Sequence, residues 1–147
     1  MGRQATPPIG AAPRADGVGS TPVHGDKLAI LLWSVDTDRP DLAAAPFVYA
    51  AAAAALDCEV EVHFAGRASR LLVTGVAAGL RTGQGDKTLY AFMQDAAALG
   101  VRFLGCSMSM AEHLTADDVC IPEYAGVAGA TAFVARTLDP HWRTLVF

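Results

Sequence analysis

Cys106 lies between Gly105 and Ser107 at the end of the apolar run Val101-Arg102-Phe103-Leu104. A glycine before the thiol lets the backbone turn, and Ser107 or Ser109 after it can cap a following helix. That setting turns free backbone N–H groups and the positive end of a helix toward the sulfur. Cysteines so placed fall from a pKa of about 8.5 to between roughly 3.5 and 7.5, and the thiolate is the form that attacks. The chemistry expected of Cys106 is nucleophilic and covalent. The competing reading is a buried cysteine that packs as a small hydrophobe. Ser107, beside the thiol, and Arg67, able to face a thiolate or an anionic ligand, are the candidate substrate-binding residues.

The other reactive side chains are less well placed. Cys120 is close enough in sequence to resolve an oxidised or persulfidated thiol, yet nothing positions it, and Cys58 opens a strand, where packing is its expected role. Glu61 and His63 share a strand face, and Glu112-His113 follows the cysteine, without the spacing of a metal site. Both histidines are expected at a surface or a subunit interface. Cys106, Met108 and Met110 form a string of soft ligands that would suit Cu(I), although methionines in an apolar chain are more often filler. No metal and no cofactor is expected. Gly83-Gln84-Gly85-Asp86-Lys87-Thr88 lacks the leading strand and glycine spacing of a phosphate loop and reads as a connector with Asp86 or Thr88 as helix cap.

These residues are carried by strands alternating with helices. Leu28 to Trp33 is a continuous apolar run, the pattern of a strand buried on both faces. After Pro40 an Ala-rich stretch runs to Leu56 with very high helix propensity, and Pro46 belongs in its first turn or kinks it. Cys58 to Phe64 alternates, with Val60, Val62 and Phe64 on one face and Glu59, Glu61 and His63 on the other, which predicts one wet or interfacial face. Leu71-Leu72-Val73 lies in an irregular stretch. Leu89, Phe92, Met93, Ala96 and Leu99 recur at helical spacing up to Gly100, a suitable left-handed stop. Val101 to Leu104 is a third strand, followed by short helices over Met108 to Leu114 and Ala116 to Val119. A strand around Gly126 to Ala128, a helix from Thr131 to Thr137 and a strand from Thr144 to Phe147 complete the pattern. The fold class is α/β, a three-layer α/β/α sandwich with a mainly parallel sheet of about five strands. In such sheets ligands sit beyond the carboxyl ends of the strands, at Ser34 to Asp38, Ala65 to Arg67, Gly105 to Ser109 and Val127 to Gly129.

The chain has 147 residues, a formal charge of −4, 52% hydrophobic and 18% charged residues, and a mean hydropathy of +0.31. The sparse charge and the lack of a basic stripe exclude the counterion-release surface that nucleic-acid binding needs. The longest apolar run, Ala43 to Leu56, is too short and too rich in alanine for a membrane span of roughly 20 residues. Three scattered cysteines without a C-x-x-C pair signal neither a disulfide scaffold nor a zinc site, and the start of the chain lacks the charge and apolar pattern of a secretory signal. A cytoplasmic location with reduced thiols is the default. So much apolar surface on a small domain predicts burial against further subunits. Residues 1–26 hold four prolines and five glycines with few large apolar side chains, and read as a flexible N-terminal tail to a domain over residues 27–147.

The stretch Gly100-Val101-Arg102-Phe103-Leu104-Gly105-Cys106-Ser107-Met108-Ser109-Met110 resembles the cysteine motif of the DsrE/DsrF-like sulfur-relay family, in which a strand after a Gly-Val pair ends in a Cys followed by Ser and Met residues. Pro46-Phe47 before an Ala-rich helix, the strand Glu59 to Phe64 and Gly126-Val127-Ala128-Gly129 resemble the same family in the same order, from about Lys27 to Phe147. The resemblance implies a five-stranded α/β/α domain that assembles into homotrimers or homohexamers. It also implies a catalytic Cys106 that accepts sulfane sulfur as a persulfide and passes it between sulfur donor and acceptor proteins. His63 departs from the pattern, which more often has an aromatic or apolar residue there. The function expected is a sulfur carrier or sulfurtransferase; the alternative is a non-catalytic α/β binding or assembly subunit with a structural Cys106.

Overall fold

The computed structural model describes residues 26–83 and 85–147; the expected tail, but for Asp26, lies outside them. Five strands, β1 (Lys27–Leu32), β2 (Glu59–Phe64), β3 (Arg102–Gly105), β4 (Tyr124–Val127) and β5 (Trp142–Val146), form one sheet in the order β4-β3-β2-β1-β5. Every neighbouring pair is parallel. The helices are α1 (Pro40–Ala43), α2 (Ala45–Ala55), α3 (Leu89–Ala98), α4 (Ser107–His113) and α5 (Ala130–Leu138), with 3-10 turns at Gly66–Leu72 and Ala77–Gly79. The sandwich read from the alternating pattern is the fold observed.

Three crossovers step from β1 to β4 in one direction, and the fourth returns across the whole sheet to place β5 beyond β1. Successive crossovers of one hand put helices on one face when they advance and on the other when they reverse. Accordingly α2 and α3 cover one face, where Ile30, Phe47, Val62, Phe64, Met93 and Phe103 form the main core. Phe47, Phe64 and Phe103 pack there with ring centroids 5.5 to 6.0 Å apart. A smaller cluster of Ala29, Phe133 and Trp142 lies under α5 on the opposite face.

Two expectations are corrected. The Ala-rich helix is broken at Ala44 into α1 and α2, while Pro46 stands in a first turn as expected, that of α2, and Pro40 opens α1, because a proline ring supplies no N–H and starts a helix better than it continues one. No helix forms over Ala116 to Val119: the Asp118 carboxylate accepts from the Thr115 N–H at 2.8 Å and from Arg70 at 3.1 Å, which closes a turn instead. Other ends shift by one to two residues. Thr88 caps α3, its hydroxyl accepting from the Ala91 N–H at 3.2 Å, and Gly100, at φ +90°, follows its end. No helix of the described residues is long and apolar enough to cross a membrane.

The third correction bears on function. Beyond Glu59, which is exposed, the polar face of β2 is not wet: Glu61 is 1% and His63 3% exposed. With β1 and β3 as its neighbours β2 is an interior strand, and interior parallel strands are covered on both faces.

Candidate functional site

Cys106 is the N-cap residue of α4, directly after β3. Its backbone is tied into the sheet, since its N–H donates to the Phe64 carbonyl at 2.9 Å and the Gly105 carbonyl accepts from Ala128 at 2.9 Å. Gly105 leaves room for a packed side chain: a Cβ there would overlap the Met110 sulfur and press on Leu72, so Met110 would have to shift. Helix α4 is anchored at its far end by Arg70, which donates to the His113 carbonyl at 3.2 Å.

The backbone N–H of Ser109 faces the Cys106 sulfur and is the main influence on it; the Ser109 hydroxyl and the Met108 N–H add to it, and together they outweigh burial and hold the thiol below the ordinary cysteine range. Ser109 can supply its proton to sulfur because its oxygen is already engaged as an acceptor from the Gly66 N–H at 2.8 Å. The other cysteine near in sequence behaves oppositely. Burial and the Asp118 charge push the Cys120 thiol up.

Cys106 and Ser109 open on a cavity of about 200 Å³ at the carboxyl ends of the central strands. Trp33 after β1, Ala65 after β2, and Ala128 and Gly129 after β4 line it, with Phe133 and Val134 of α5 along one side. Trp33 is 66% exposed. This is the end of the sheet where α/β proteins bind ligands, and three of the four segments singled out from the sequence contribute to the wall. The fourth, Ser34 to Asp38, does not.

His63 also lines the cavity. Its Nε2 lies 3.1 Å from Glu61 Oε2, and its ring packs edge-to-face on Phe133 at 5.3 Å. Glu61 is further held by Arg136, through Nε at 3.0 Å and Nη2 at 3.2 Å, and by Arg102 at 3.3 Å. Burial alone would raise the Glu61 carboxyl, but the hydrogen bonds from Arg136 and His63, with their charges, hold it below the usual carboxylate range. Burial depresses the His63 imidazole; Glu61 opposes this, and the charges of Arg136 and Arg102 reinforce it. His63 is therefore neutral at pH 7, with its proton on Nε2 to meet the ionised carboxylate, which leaves Nδ1 as a bare acceptor. Nδ1 is buried and has no hydrogen-bond partner among the described residues.

The remaining candidates do not converge on this site. Ser107 is exposed on the first turn of α4 and does not line the cavity, where Ser109 stands instead. Arg67, 64% exposed, pairs with Asp36 at 3.3 Å. Cys58 precedes β2 and so lies at the opposite end of the sheet from Cys106. Met108 is 81% exposed, while Met110 is packed over Gly105 and its sulfur accepts from the Tyr124 hydroxyl at 3.6 Å. Cys106, Met108 and Met110 thus point apart, and no three His, Cys, Asp or Glu side chains among the described residues gather as a metal site. Sequence reasoning missed His63 as a cavity residue and, within the segment Gly105 to Ser109, chose Ser107 where Ser109 lines the wall. The sequence signal for His63 was its place two residues from Glu61 on one strand face; that this strand is interior shows only in the sheet order.

The model of the DsrE/DsrF-like family matches residues 28–147. The chain belongs to the DsrE/DsrF-like family. Membership carries a general association with sulfur relay, and Cys106 occupies the strand-end position that the motif resemblance pointed to. No curated protein matches the chain.

Proposed function

We propose that this DsrE/DsrF-like protein is a cytoplasmic sulfur carrier or sulfurtransferase that holds sulfane sulfur as a persulfide on Cys106. The observation that carries the reading is a thiol lowered by the Ser109 and Met108 N–H groups at the mouth of a cavity. The Cys106 thiolate attacks the outer sulfur of a donor R–S–S–H. A new S–S bond forms, the donor's S–S bond breaks, and its inner sulfur leaves with the electron pair as R–S⁻. An acceptor thiolate then attacks the outer sulfur of Cys106–S–S–H, and Cys106 departs as thiolate onto the same N–H groups. No external oxidant or reductant enters either step. The acceptor is a partner protein's thiol, and the carrier works as a closed homotrimer or homohexamer, which light scattering tests.

Incubation with a low-molecular-weight persulfide, followed by mass spectrometry of the intact chain, should show one added sulfur atom. Cys106→Ser should abolish that gain with fold and assembly unchanged, and Cys120→Ser should retain at least part of it. Equal loading of the Cys106 variant and the wild type would overturn the assignment and favour an assembly subunit with a structural cysteine.

A further inference from the structure

The orphan nitrogen of His63 and the cavity wall together define what the cavity accepts. Its lining is apolar apart from Cys106, Ser109 and His63. Ser109 is engaged with the Gly66 N–H and the thiol. Among the described residues no Lys or Arg lines the cavity; Arg67 pairs with Asp36, and Arg136 and Arg102 are held by Glu61. A carboxylate entering such a place would lose its hydration with no counter-charge, and an ammonium would find only the Cys106 thiolate, whose charge the Ser109 and Met108 N–H groups already share, a cost that apolar contacts do not offset. The volume sets the size: an apolar cavity of about 150 Å³ takes a benzene ring, and this one is about 200 Å³.

The polar requirement follows from the tautomer. Glu61 holds the His63 proton on Nε2, so Nδ1 can only accept. A buried acceptor left unpaired is costly, so an occupant that offers an N–H, O–H or S–H is selected over one that does not. We infer that the cavity is a subsite for a small uncharged molecule with a compact apolar body and a single hydrogen-bond donor received by His63 Nδ1. The sulfur donor belongs to this class, as an organic hydropersulfide R–S–S–H with R an alkyl or aryl group.

The second statement rests on the sulfur-transfer reading; the first does not. In the transfer, the proton stays on the outer sulfur, hydrogen-bonded to His63 Nδ1, while that sulfur bonds to Cys106. The inner sulfur leaves as R–S⁻ and takes a proton from water outside the cavity. A deprotonated donor would meet the Cys106 thiolate as a like charge and His63 Nδ1 as a second lone pair, so the neutral form is the one admitted. Glutathione persulfide, with two carboxylates and an ammonium, does not fit.

Two experiments separate the parts. Cys106→Ser protein with ¹⁵N-labelled histidine is titrated with phenylmethanol, a stable stand-in for the thiol, and with its methyl ether. The alcohol should bind about tenfold more tightly and move the His63 Nδ1 resonance, and His63→Phe should erase the preference. Equal binding, an unmoved Nδ1 resonance, or a preference that survives His63→Phe overturns the inference; the resonance tests the contact without any variant at position 63. Wild-type protein is then exposed to benzyl hydropersulfide and to glutathione persulfide. Loading of Cys106 should be at least about tenfold faster from the first, and equal rates overturn the donor class. If neither donor loads Cys106 while the binding contrast holds, the sulfur-carrier reading fails and the ligand class stands.

Discussion

Arg136 of the last helix grips Glu61 of the central strand with two parallel hydrogen bonds, Nε to Oε2 at 3.0 Å and Nη2 to Oε1 at 3.2 Å. The guanidinium also stacks over the Trp142 ring at 4.4 Å. This pair fastens α5 to the sheet and fixes the orientation of His63 beside the cavity.

Removing the cation should cost more than removing both charges. Arg136→Met leaves the Glu61 carboxylate buried with only Arg102 and His63, and urea unfolding should report a loss of about 3 kcal/mol. Adding Glu61→Met should restore most of it, because no buried charge remains. A double variant less stable than Arg136→Met would refute this account of the pair.

Stability should fall with acid in two stages. Burial lowers the His63 pKa from 6.5, so below that value the unfolded chain takes up a proton that the folded one refuses. The unfolding free energy then drops by at most about 1.4 kcal/mol per pH unit for this one group. Glu61, lowered from 4.5 by its partners, contributes stability above that value and loses it as the pH falls further. Calorimetry from pH 7 to pH 5 should show a decline that His63→Phe flattens, while the decline below about pH 4.5 persists.

Among the cysteines, Cys106 should alkylate ahead of Cys120 near neutral pH, because one thiol is lowered by N–H groups and the other raised by burial. Ser109→Ala removes one donor to the thiolate and should slow iodoacetamide about fivefold at pH 7, in keeping with one hydrogen bond of about 1 kcal/mol. Peptide mapping after brief labelling gives both results. Faster labelling of Cys120 would count against the site.

Gly105→Ala should destabilise by about 1–3 kcal/mol, since the new methyl meets the Met110 sulfur. Met110→Ala opens that space, so the double variant should recover stability that Gly105→Ala alone loses. Additive losses in thermal melts would mean that the overlap is relieved elsewhere.

Much of this arrangement was legible in the chain. Continuous apolar runs and Ala-rich stretches identify the alternation of strand and helix, and the end of the third run places Cys106 at a strand end; the glycine before it makes no turn but lies in extended backbone, where a Cβ would meet Met110. The buried side of β2 was not legible, because Glu59, Glu61 and His63 alternate as a solvated strand would. Only the strand order, with β2 inside, and the distant Arg136 turn that polar face into an interior. Ser109 was obscured for a similar reason: which serine faces the sulfur depends on how α4 starts, and Ser107 leads it outward.

The backbone on either side of the thiol is pinned to neighbouring strands, at Phe64 on one flank and Ala128 on the other. Cys106 is therefore a fixed berth and not a swinging arm. In the sulfur-carrier proposal, the reach needed to hand over an atom of sulfur has to come from the acceptor, which must carry its own cysteine on a tail or loop slender enough to pass Trp33. Specificity for the onward step then resides in the visitor's flexibility, and swapping that segment between acceptors should redirect the sulfur without any change in this chain.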